Sequence, residues 1–414
     1  MKIAVIGAGV VGICTAYELA LDGHAVSVFE RHAAVAEEAS FACAGHLSPS
    51  LSHQLSFPAW PQASRLRALL KPAGITLGRG TSLGDLRWLT GWKAGYKTFF
   101  ERFAAAHALV NYSLVRQQSL CTQASLVVEQ SPGQMLLLRS ERDASAYQER
   151  LAALKSHGVN AKVLTPEEAR KLEPALGSEV AMHSAIHFPN DAVGNCRQFA
   201  QALKEQAMGL GVAFHFATPV TGLTHTPEIQ LHTSQHGAQG FDQVVVCAGG
   251  GAAALLAPTL KPAALTHVGS YSLSAQIREP LNAPRSAVLD SHSHISISRM
   301  GARIRVSGGA ELGGTPKHKR EASTRLLYQT LQTHFPGAAD FSRSMQLWAG
   351  AGVFSADALP LLGASARPGI WFNLAHGHNG WSMACGSARV LADQIAGRQA
   401  DINTTLMHPS RFKS

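Results

Sequence analysis

The first thirty residues constrain the fold more than any other part of the chain. An apolar run, Ile3–Ile6, leads into the glycine-rich sequence Gly7-Ala-Gly-Val-Val-Gly12. A segment of helical periodicity follows, and a second apolar run, Ala25–Phe29, ends on Glu30. Two short apolar runs separated by a glycine turn and a helical segment predict a βαβ unit over these residues.

The spacing of the glycines has a chemical reason. Gly7 would permit a tight turn, Gly9 would let the backbone approach a pyrophosphate, and Gly12 would let the helix pack closely on the strand. The N-terminus of such a helix presents free N–H groups and a positive dipole end to phosphates. An acidic residue about 20 positions further on typically binds ribose hydroxyls, and Glu30 lies at that distance. The unit therefore predicts a site for an adenine dinucleotide.

Composition and charge narrow the classes of partner. The chain has 414 residues, of which 46% are hydrophobic and 15% charged, and this predicts a folded chain with core enough for two domains or one elaborate domain. The net charge of +9 suits an anionic cofactor, an acidic substrate or an anionic membrane surface. The sequence has no basic stripe and no nucleic-acid motif, so we expect a small-molecule substrate and not a nucleic acid. The oligomeric state is left open.

Cysteines, histidines and apolar runs bear on metals and compartment. The six cysteines form no CxxC motif, and the closest histidine pairs, His292-Ser-His294 and His376-Gly-His378, lack a further ligand at metal-binding spacing. We therefore expect neither a metal nor a disulfide framework. No apolar run reaches the ~18–20 residues of a membrane span, and Asp22-Gly-His24 interrupts the stretch that imitates a signal peptide. We expect a cytoplasmic protein, with peripheral contact at the inner face of the membrane left open.

Three segments carry clear helix signals. Gly84–Phe103 predicts one helix, because large apolar residues recur at steps of three and four: Leu89, Trp92, Tyr96, Phe99 and Phe103. This stripe favours a core-facing side, and the alternative is a basic, aromatic surface that docks on a membrane. Thr165-Pro-Glu-Glu168 is a capping box that starts a short helix to Leu172. Asn195–Leu210 predicts a further amphipathic helix.

Strand signals cluster between two α/β regions. They lie at Val212–Phe216, Ile229–Thr233 and Gln243–Cys247, and in three segments expected to be antiparallel, Ser270–Ile277, His294–Arg299 and Ala302–Val306. The predicted fold class is α/β, a Rossmann-like dinucleotide-binding domain with an inserted α+β substrate domain built on an antiparallel sheet. The expected cofactor domain comprises residues 1–50, 195–258 and 340–414, and the expected substrate domain comprises residues 51–194 and 259–339.

A family resemblance extends over nearly the whole sequence. Five stretches carry it beyond the N-terminal motif: Ser40–Pro49, Phe188–Asp191 with Gly194, Asp242–Gly249, Ile295–Arg299 with Arg303–Glu311, and Asn373–Gly386. In this order and spacing the chain resembles the D-amino acid oxidase-like FAD-dependent oxidoreductases, and within them the D-amino acid dehydrogenase small subunits.

The resemblance implies FAD as the cofactor, held without a covalent bond. The sequence carries one phosphate-binding fingerprint, whereas a flavoenzyme reduced by NAD(P)H usually carries two. The expected cofactor contacts are Gly7, Gly9, Val10, Val11, Gly12, Glu30, Arg31, Ser40, Ala44, Gly45, His46, Leu47, Val220, Ala248, Gly249, Gly377, His378, Asn379, Gly380 and Trp381. Covalent attachment through His46 or Cys385 is the alternative. The turn His376–Gly380 would feed the helix Ser382–Ile395, whose N-terminus would favour the negative charge of a reduced flavin.

The chemistry that the resemblance implies is the oxidation of an amine. Family members pass a hydride from the substrate α-carbon to flavin N5, and the resulting imine hydrolyses. Amino-acid-oxidising relatives grip the substrate carboxylate with the arginine of a Trp-x-Gly-x-Arg-Pro motif. The sequence departs here, since Trp348-Ala-Gly-Ala-Gly352-Val places Gly352 at the arginine position. Three explanations stay open: another cation (Arg299 or Arg303), a substrate without an α-carboxylate, or FAD binding without this activity.

Other substrate contacts follow from motif position. Tyr271 matches the tyrosine of the family's Gly-Tyr-Ser-Leu segment and could bind substrate or pack within a sheet. His53 follows the flavin loop, and His378 lies in the C-terminal flavin turn. The expected function is oxidation of the CH–NH bond of a D-amino acid or related amine. The alternatives are a secondary or cyclic amine, a 2-hydroxy acid, or a non-catalytic flavoprotein subunit, with dioxygen, a quinone or a protein as electron acceptor.

Overall fold

The structure is a computed structural model that describes residues 1–50, 74–78, 80–225, 228–235, 237–252, 255, 264–313, 321–343 and 345–412. Its α-helices span Val10–Leu21, Leu83–Ala94, Phe99–Gln123, Glu141–Ser156, Pro166–Leu172, Cys196–Gly209, Glu321–His334 and Gly380–Ile395. Its strands are β1 Lys2–Ile6, β2 Ala25–Phe29, β3 His46–Leu47, β4 Ile75–Leu77, β5 Gln130–Leu138, β6 Lys162–Leu164, β7 Ser184–Gly194, β8 Ala213–His215, β9 Val220–His225, β10 Ile229–Thr233, β11 Gly237–Phe241, β12 Gln243–Val246, β13 Leu265–Ile277, β14 Ala287–Asp290, β15 Ile295–Met300, β16 Arg303–Leu312, β17 Ala339–Asp340, β18 Gln346–Ser355, β19 Leu361–Ala364 and β20 Ile370–Leu374.

A six-stranded sheet carries the N-terminal motif, in the order β19-β20-β12-β1-β2-β8. The strand β1 pairs in parallel with β2 and β12, which confirms the predicted βαβ unit. Both faces of β1 are buried: Ile3 and Val5 pack with the helices, whereas Ala4 and Ile6 pack towards the three-stranded sheet β11-β10-β9. A strand that is covered on both faces has a continuous apolar sequence, as Ile3–Ile6 does.

A second, larger sheet has the strand order β17-β13-β16-β15-β14-β5-β7-β3, and β18 pairs with β13. The three segments expected to be antiparallel form β13, β15 and β16, and these strands pair antiparallel as expected. The helix Glu321–His334 covers part of one face of this sheet through Leu327 and Leu331. The α/β fold class with an antiparallel-rich second sheet is confirmed.

The segment Gly84–Phe103 is not one helix. It divides into Leu83–Ala94 and Phe99–Gln123, because a 3-10 turn at Gly95–Thr98 interrupts it. Ser82 and Asp85 form a capping box at the first of these helices. Glycine lowers the stability of a continuous helix, and the periodicity alone did not reveal this break.

The described part of the apolar stripe in this segment faces the core. Leu89, Trp92 and Phe103 are at most 1% exposed, so a membrane-docking role is wrong for these three residues. The indole rings of Trp88 and Trp92 stack with centroids 6.0 Å apart. The side chains of Tyr96 and Phe99 lie outside the described part of the structure. In the described residues, no helix is both long and apolar enough to cross a membrane.

The other helix predictions hold closely. Thr165 caps Pro166–Leu172 with the predicted capping box, and Asn195 caps Cys196–Gly209 by accepting a hydrogen bond from the backbone of Gln198. The division into domains stays a proposal. Because β18 pairs with β13 over its whole length, we propose that residues 346–355 belong with the substrate domain and not with the cofactor domain.

Candidate active site

The glycine turn sits at the carboxyl end of β1, where Gly7 and Gly12 lie against neighbouring backbone and Gly9 lies against the side chain of Ser40. Gly7 has a φ of +105°, and a Cβ atom there would lie 2.8 Å from the carbonyl oxygen of Cys247. A Cβ atom on Gly12 would lie 1.9 Å from the carbonyl oxygen of Gly7. Any larger residue at these two positions would push the first helix, Val10–Leu21, away from the strand. The turn therefore needs glycine for both conformation and space.

Glu30 lies at the end of β2, and backbone donors orient its carboxylate. Its Oε2 accepts a hydrogen bond from the N–H of Ala8 at 2.7 Å, and its Oε1 accepts one from the N–H of His32 at 2.9 Å. Each carboxylate oxygen keeps lone pairs for a further donor. The carboxylate is thus held beside the glycine turn in a position to accept hydrogen bonds from hydroxyl groups.

The loop that follows β2 closes over the helix N-terminus. The N–H of Val10 donates to Ser40 Oγ at 3.1 Å, which connects the loop to the first turn of the helix. Further along, the hydroxyls of Ser48 and Ser50 each donate to Asp191 Oδ2 at 2.6 Å. Burial raises the pKa of the Asp191 carboxyl to about 6, although these hydroxyls oppose the shift. The sequence motif around Asp191 therefore serves to hold this loop.

The C-terminal turn forms the facing side of the same space. A 3-10 turn, Gly377–Asn379, leads into the helix Gly380–Ile395, whose N-terminus faces the cavity. Trp381 is 5% exposed, and its Nε1 is a buried donor without a hydrogen-bond partner among the described residues. A buried indole N–H beside a cavity fits a bound group that brings acceptor atoms.

A cavity of about 470 Å³ connects these parts. Every expected cofactor residue lines it except Gly12, which lies beneath the glycine turn, and Leu47, which is buried in β3. Sequence reasoning missed several lining residues, among them His32, Glu38, Cys43, Cys196 and Ser48. The sequence carried a signal for His32 and Glu38, because they follow the acidic residue of the βαβ unit. Cys43 and Ser48 lie within the stretch Ser40–Pro49 that carries the resemblance, whereas no local pattern marked Cys196.

One side of the cavity is formed by the large sheet, and we call it the sheet wall. Its residues come from β13, β14, β15, β16 and β18: Val268, Ser270, Tyr271, Leu289, Ser296, Ser307, Gly308, Gly309, Trp348, Ala351, Gly352, Val353 and Phe354. The cavity thus runs from a dinucleotide-type cradle to a wall of small, hydroxyl and aromatic side chains.

The substrate candidates divide between the cavity and its surroundings. Tyr271 and His378 line the cavity. Arg299 and Arg303 are not among the residues that line it, and the Nε of Arg299 donates to the carbonyl of Gly301 at 3.4 Å. His53 lies outside the described residues. Neither arginine is therefore retained as a substitute for the missing carboxylate anchor.

Three of the described histidines that line the cavity, His46, His376 and His378, are neutral at physiological pH. Burial lowers the pKa of His46 and of His376 to about 4 each. Burial, with a smaller effect of His46, lowers the pKa of His378 to about 3. Cys385 does not line the cavity: it is 1% exposed, and its Sγ lies 3.7 Å from the Sγ of Cys14. Of the two residues considered for covalent attachment, His46 alone lies at the cavity.

Comparison with known proteins decides the family. The model of a family described as FAD dependent oxidoreductase (DAO) matches residues 2–394. The chain belongs to this family. The cradle fits the cofactor that the family uses, because an oriented carboxylate and a helix N-terminus line one cavity, together with Trp381, whose buried indole donor has no partner among the described residues. The chain is therefore an FAD-dependent oxidoreductase.

Two full-length relatives support the family, and two solved structures show the same fold. A D-amino acid dehydrogenase of Rhizobium rhizogenes is 32% identical, with all of both chains covered, and so is one of Neisseria meningitidis serogroup C. Glycine oxidase from Geobacillus kaustophilus has a TM-score of 0.75 at 19% identity, covering all of both chains. L-proline dehydrogenase from P. horikoshii has a TM-score of 0.72 at 18% identity, covering 99% of this chain and 97% of that one. The two structures confirm the fold.

Proposed function

We propose that this FAD-dependent oxidoreductase oxidises the CH–NH bond of a D-amino acid or a related amine. The observation that carries the proposal is the 32% identity, over the full length of both chains, to proteins named D-amino acid dehydrogenase. The cavity supports it, because its cofactor cradle opens directly onto the sheet wall, where a small substrate has room.

Particular residues would hold the cofactor. Glu30 would accept the ribose hydroxyls, and the N-terminus of the first helix would face the pyrophosphate. The loop Ser40–Ser48 and the turn Gly377–Gly380 would flank the rest of the molecule, with His46 and Trp381 inside the cavity. When bound, FAD supplies a hydride acceptor at N5, and an amine oxidised there leaves as an imine that water hydrolyses.

The protein's own residues would position the substrate and shape the electrostatics. The N-terminus of the helix Gly380–Ile395 directs its positive dipole end into the cavity, which favours negative charge close to it. The neutral His46 and His378 add no competing charge. Trp348 and Phe354 line the substrate side with apolar surface, which helps to exclude water from the reacting carbon.

The test is anaerobic reduction of the bound flavin by matched compounds. Purified holoprotein is mixed with primary D-amino acids, their L-enantiomers, N-alkyl and cyclic amines and 2-hydroxy acids, and flavin absorbance is followed. We expect bleaching by a D-amino acid or an amine, with release of ammonia or the smaller amine. Bleaching by 2-hydroxy acids alone would select the alternative substrate. Bleaching by none would refute the proposed reaction and favour a non-catalytic flavoprotein.

The same preparation addresses the electron acceptor. After anaerobic reduction, air, a soluble quinone or cell extract is added, and the rate of flavin reoxidation is compared. We propose a cytoplasmic protein. The stripe gives no support for membrane contact through Leu89, Trp92 and Phe103, because these three side chains are buried. Fast reoxidation by air would identify an oxidase, and reoxidation only by quinone or extract would identify a dehydrogenase.

A further inference from the structure

The polarity of the sheet wall identifies the substrate class more narrowly. None of the described residues of the wall is an arginine, lysine or histidine. Among all described residues that line the cavity, Arg31 alone is an arginine or lysine. Arg31 follows Glu30 at the cradle, and its side chain forms an ion pair with Glu38. The positive charge of the described cavity lining is therefore at the cofactor end and not at the wall.

A buried arginine of the sheet, Arg305, holds the cofactor loop. Arg305 is 8% exposed and does not line the cavity. Its Nε donates to Ser274 Oγ at 2.9 Å, and its NH1 group donates to the carbonyl of Cys43 at 3.0 Å. These bonds fasten the loop to the sheet, so this guanidinium acts on the loop backbone.

The hydroxyl of Tyr271 is arranged as an acceptor. Tyr271 lines the wall, and its Oη–H donates to Glu311 Oε2 at 2.7 Å. A phenol has one proton to donate. Since that proton points to Glu311, the tyrosine oxygen can only accept a hydrogen bond from any other group. It suits an N–H donor and opposes a carboxylate, which also only accepts.

Aromatic side chains occupy the space beside Gly352. A Cβ atom on Gly352 would lie 3.1 Å from Cε2 of Phe354 and 3.7 Å from the carbonyl oxygen of Gly377. The ring of Phe354 in turn meets the ring of His378 edge-on, with centroids 4.8 Å apart. A long cationic side chain at position 352 would have to displace Phe354. This part of the wall is apolar and neutral.

We propose that the substrate is an amine without a free carboxylate, such as an amino-acid amide or ester or a simple secondary amine, whose N–H donates to Tyr271. This rests on the proposed function, because it assumes that the sheet wall receives the carbon skeleton to be oxidised. A carboxylate placed against the described wall would lose the strong donors that it has in water.

The experiment compares substrates that differ only at the carboxylate. Holoprotein is assayed with D-phenylalanine, its amide and its methyl ester, and with D-proline, its amide and pyrrolidine. We expect the neutral member of each set to have a KM at least tenfold lower than the free acid. A KM at least as low for the free acid would overturn the inference while leaving the proposed function intact. Absence of flavin reduction by every compound would refute the proposed function itself.

A binding measurement provides a readout that does not depend on turnover. Benzamide and benzoate differ in charge but hardly in shape, and each is titrated against the flavin absorption spectrum. We expect the wild type to bind benzamide more tightly than benzoate by tenfold or more. Preference for benzoate would overturn the inference, and if neither compound perturbs the spectrum the KM comparison decides.

Variants of the wall test the cause of this preference. The double variant Gly352→Arg, Phe354→Met adds a cation and removes the ring that fills its space. We expect its preference to invert towards benzoate and the free amino acid. Gly352→Met, Phe354→Met is the matched neutral control and should keep the wild-type order. If the neutral control also comes to prefer benzoate, the neutrality of the wall is not the cause of the wild-type preference. If the charged variant fails to fold, the wild-type KM and binding comparisons decide the inference.

Discussion

Replacement of Glu30 by glutamine tests how the cradle holds FAD. The carboxylate accepts N–H bonds from Ala8 at 2.7 Å and His32 at 2.9 Å, so both oxygens are oriented by the backbone. In the glutamine variant one oxygen becomes an NH₂ group, which faces a backbone donor and removes an acceptor for the ribose. Hydrogen bonds to charged groups contribute about 1.5–3 kcal/mol. The dissociation constant for FAD should therefore rise about ten- to 150-fold.

The assay is titration of apoprotein with FAD, followed by quenching of flavin fluorescence. Glu38→Gln is the matched control, because Glu38 also lines the cavity but forms its ion pair with Arg31 where both side chains are more than 40% exposed. Exposed ion pairs contribute below about 1 kcal/mol, so this variant should change the dissociation constant less than about fivefold. An FAD affinity of Glu30→Gln equal to that of Glu38→Gln would refute the role assigned to Glu30.

Three further predictions concern the architecture around the cavity. Burial raises the pKa of Asp191 to about 6, whereas an unfolded aspartate titrates near pH 4, so between these pH values the folded state binds a proton that the unfolded state has lost. The free energy of unfolding should therefore fall by about 3 kcal/mol as pH rises through this window. Urea unfolding of Asp191→Asn should lack that fall. Gly12→Ala places a Cβ atom 1.9 Å from a carbonyl oxygen, so it should destabilise the holoprotein by about 1–3 kcal/mol and lower the FAD content after purification. A hydrogen bond with the Cys196 thiol lowers the pKa of Cys43 to about 7, so iodoacetamide should alkylate Cys43 in the apoprotein, and bound FAD should protect it, as peptide mapping would show.

Each of these has a control and a contradicting result. An equal fall in stability for Asp191→Asn and the wild type would remove the assignment of that titration. Gly209→Ala meets no atom within 4 Å, so its FAD content should match the wild type; a similar loss there would point to a general effect of helix substitution. Burial raises the pKa of Cys247 to about 12, and faster labelling of Cys247 than of Cys43 would contradict the third prediction.

The cofactor cradle could be predicted from the sequence because its causes are local. The two strands, the glycine turn and Glu30 lie within thirty consecutive residues, and Gly7 and Gly12 are required by contacts inside that unit or with the segment that follows β12. The same holds for capped helices such as Pro166–Leu172, whose signal occupies four positions. In these regions the conformation that neighbouring residues favour is the one found in the structure.

The substrate side could not be predicted in the same way, because its contacts are non-local. Asp191 reaches Ser48 across 143 positions, and Tyr271 meets Glu311 because β13 and β16, which are far apart in sequence, pair antiparallel. Arg299 and Arg303 had the right chemistry, but their strands place them away from the cavity lining. The departure at Gly352 was visible in the sequence, whereas the ring of Phe354 that fills the adjacent space was not.

The most direct test of the central claim, oxidation of a CH–NH bond, is rapid anaerobic mixing of the holoprotein with an amine substrate deuterated at the carbon that bears nitrogen. We predict that deuterium slows flavin bleaching severalfold and that the carbonyl product and the released ammonia or amine appear in amounts equal to the flavin reduced. Bleaching that is insensitive to deuterium and leaves no carbonyl product would contradict the account.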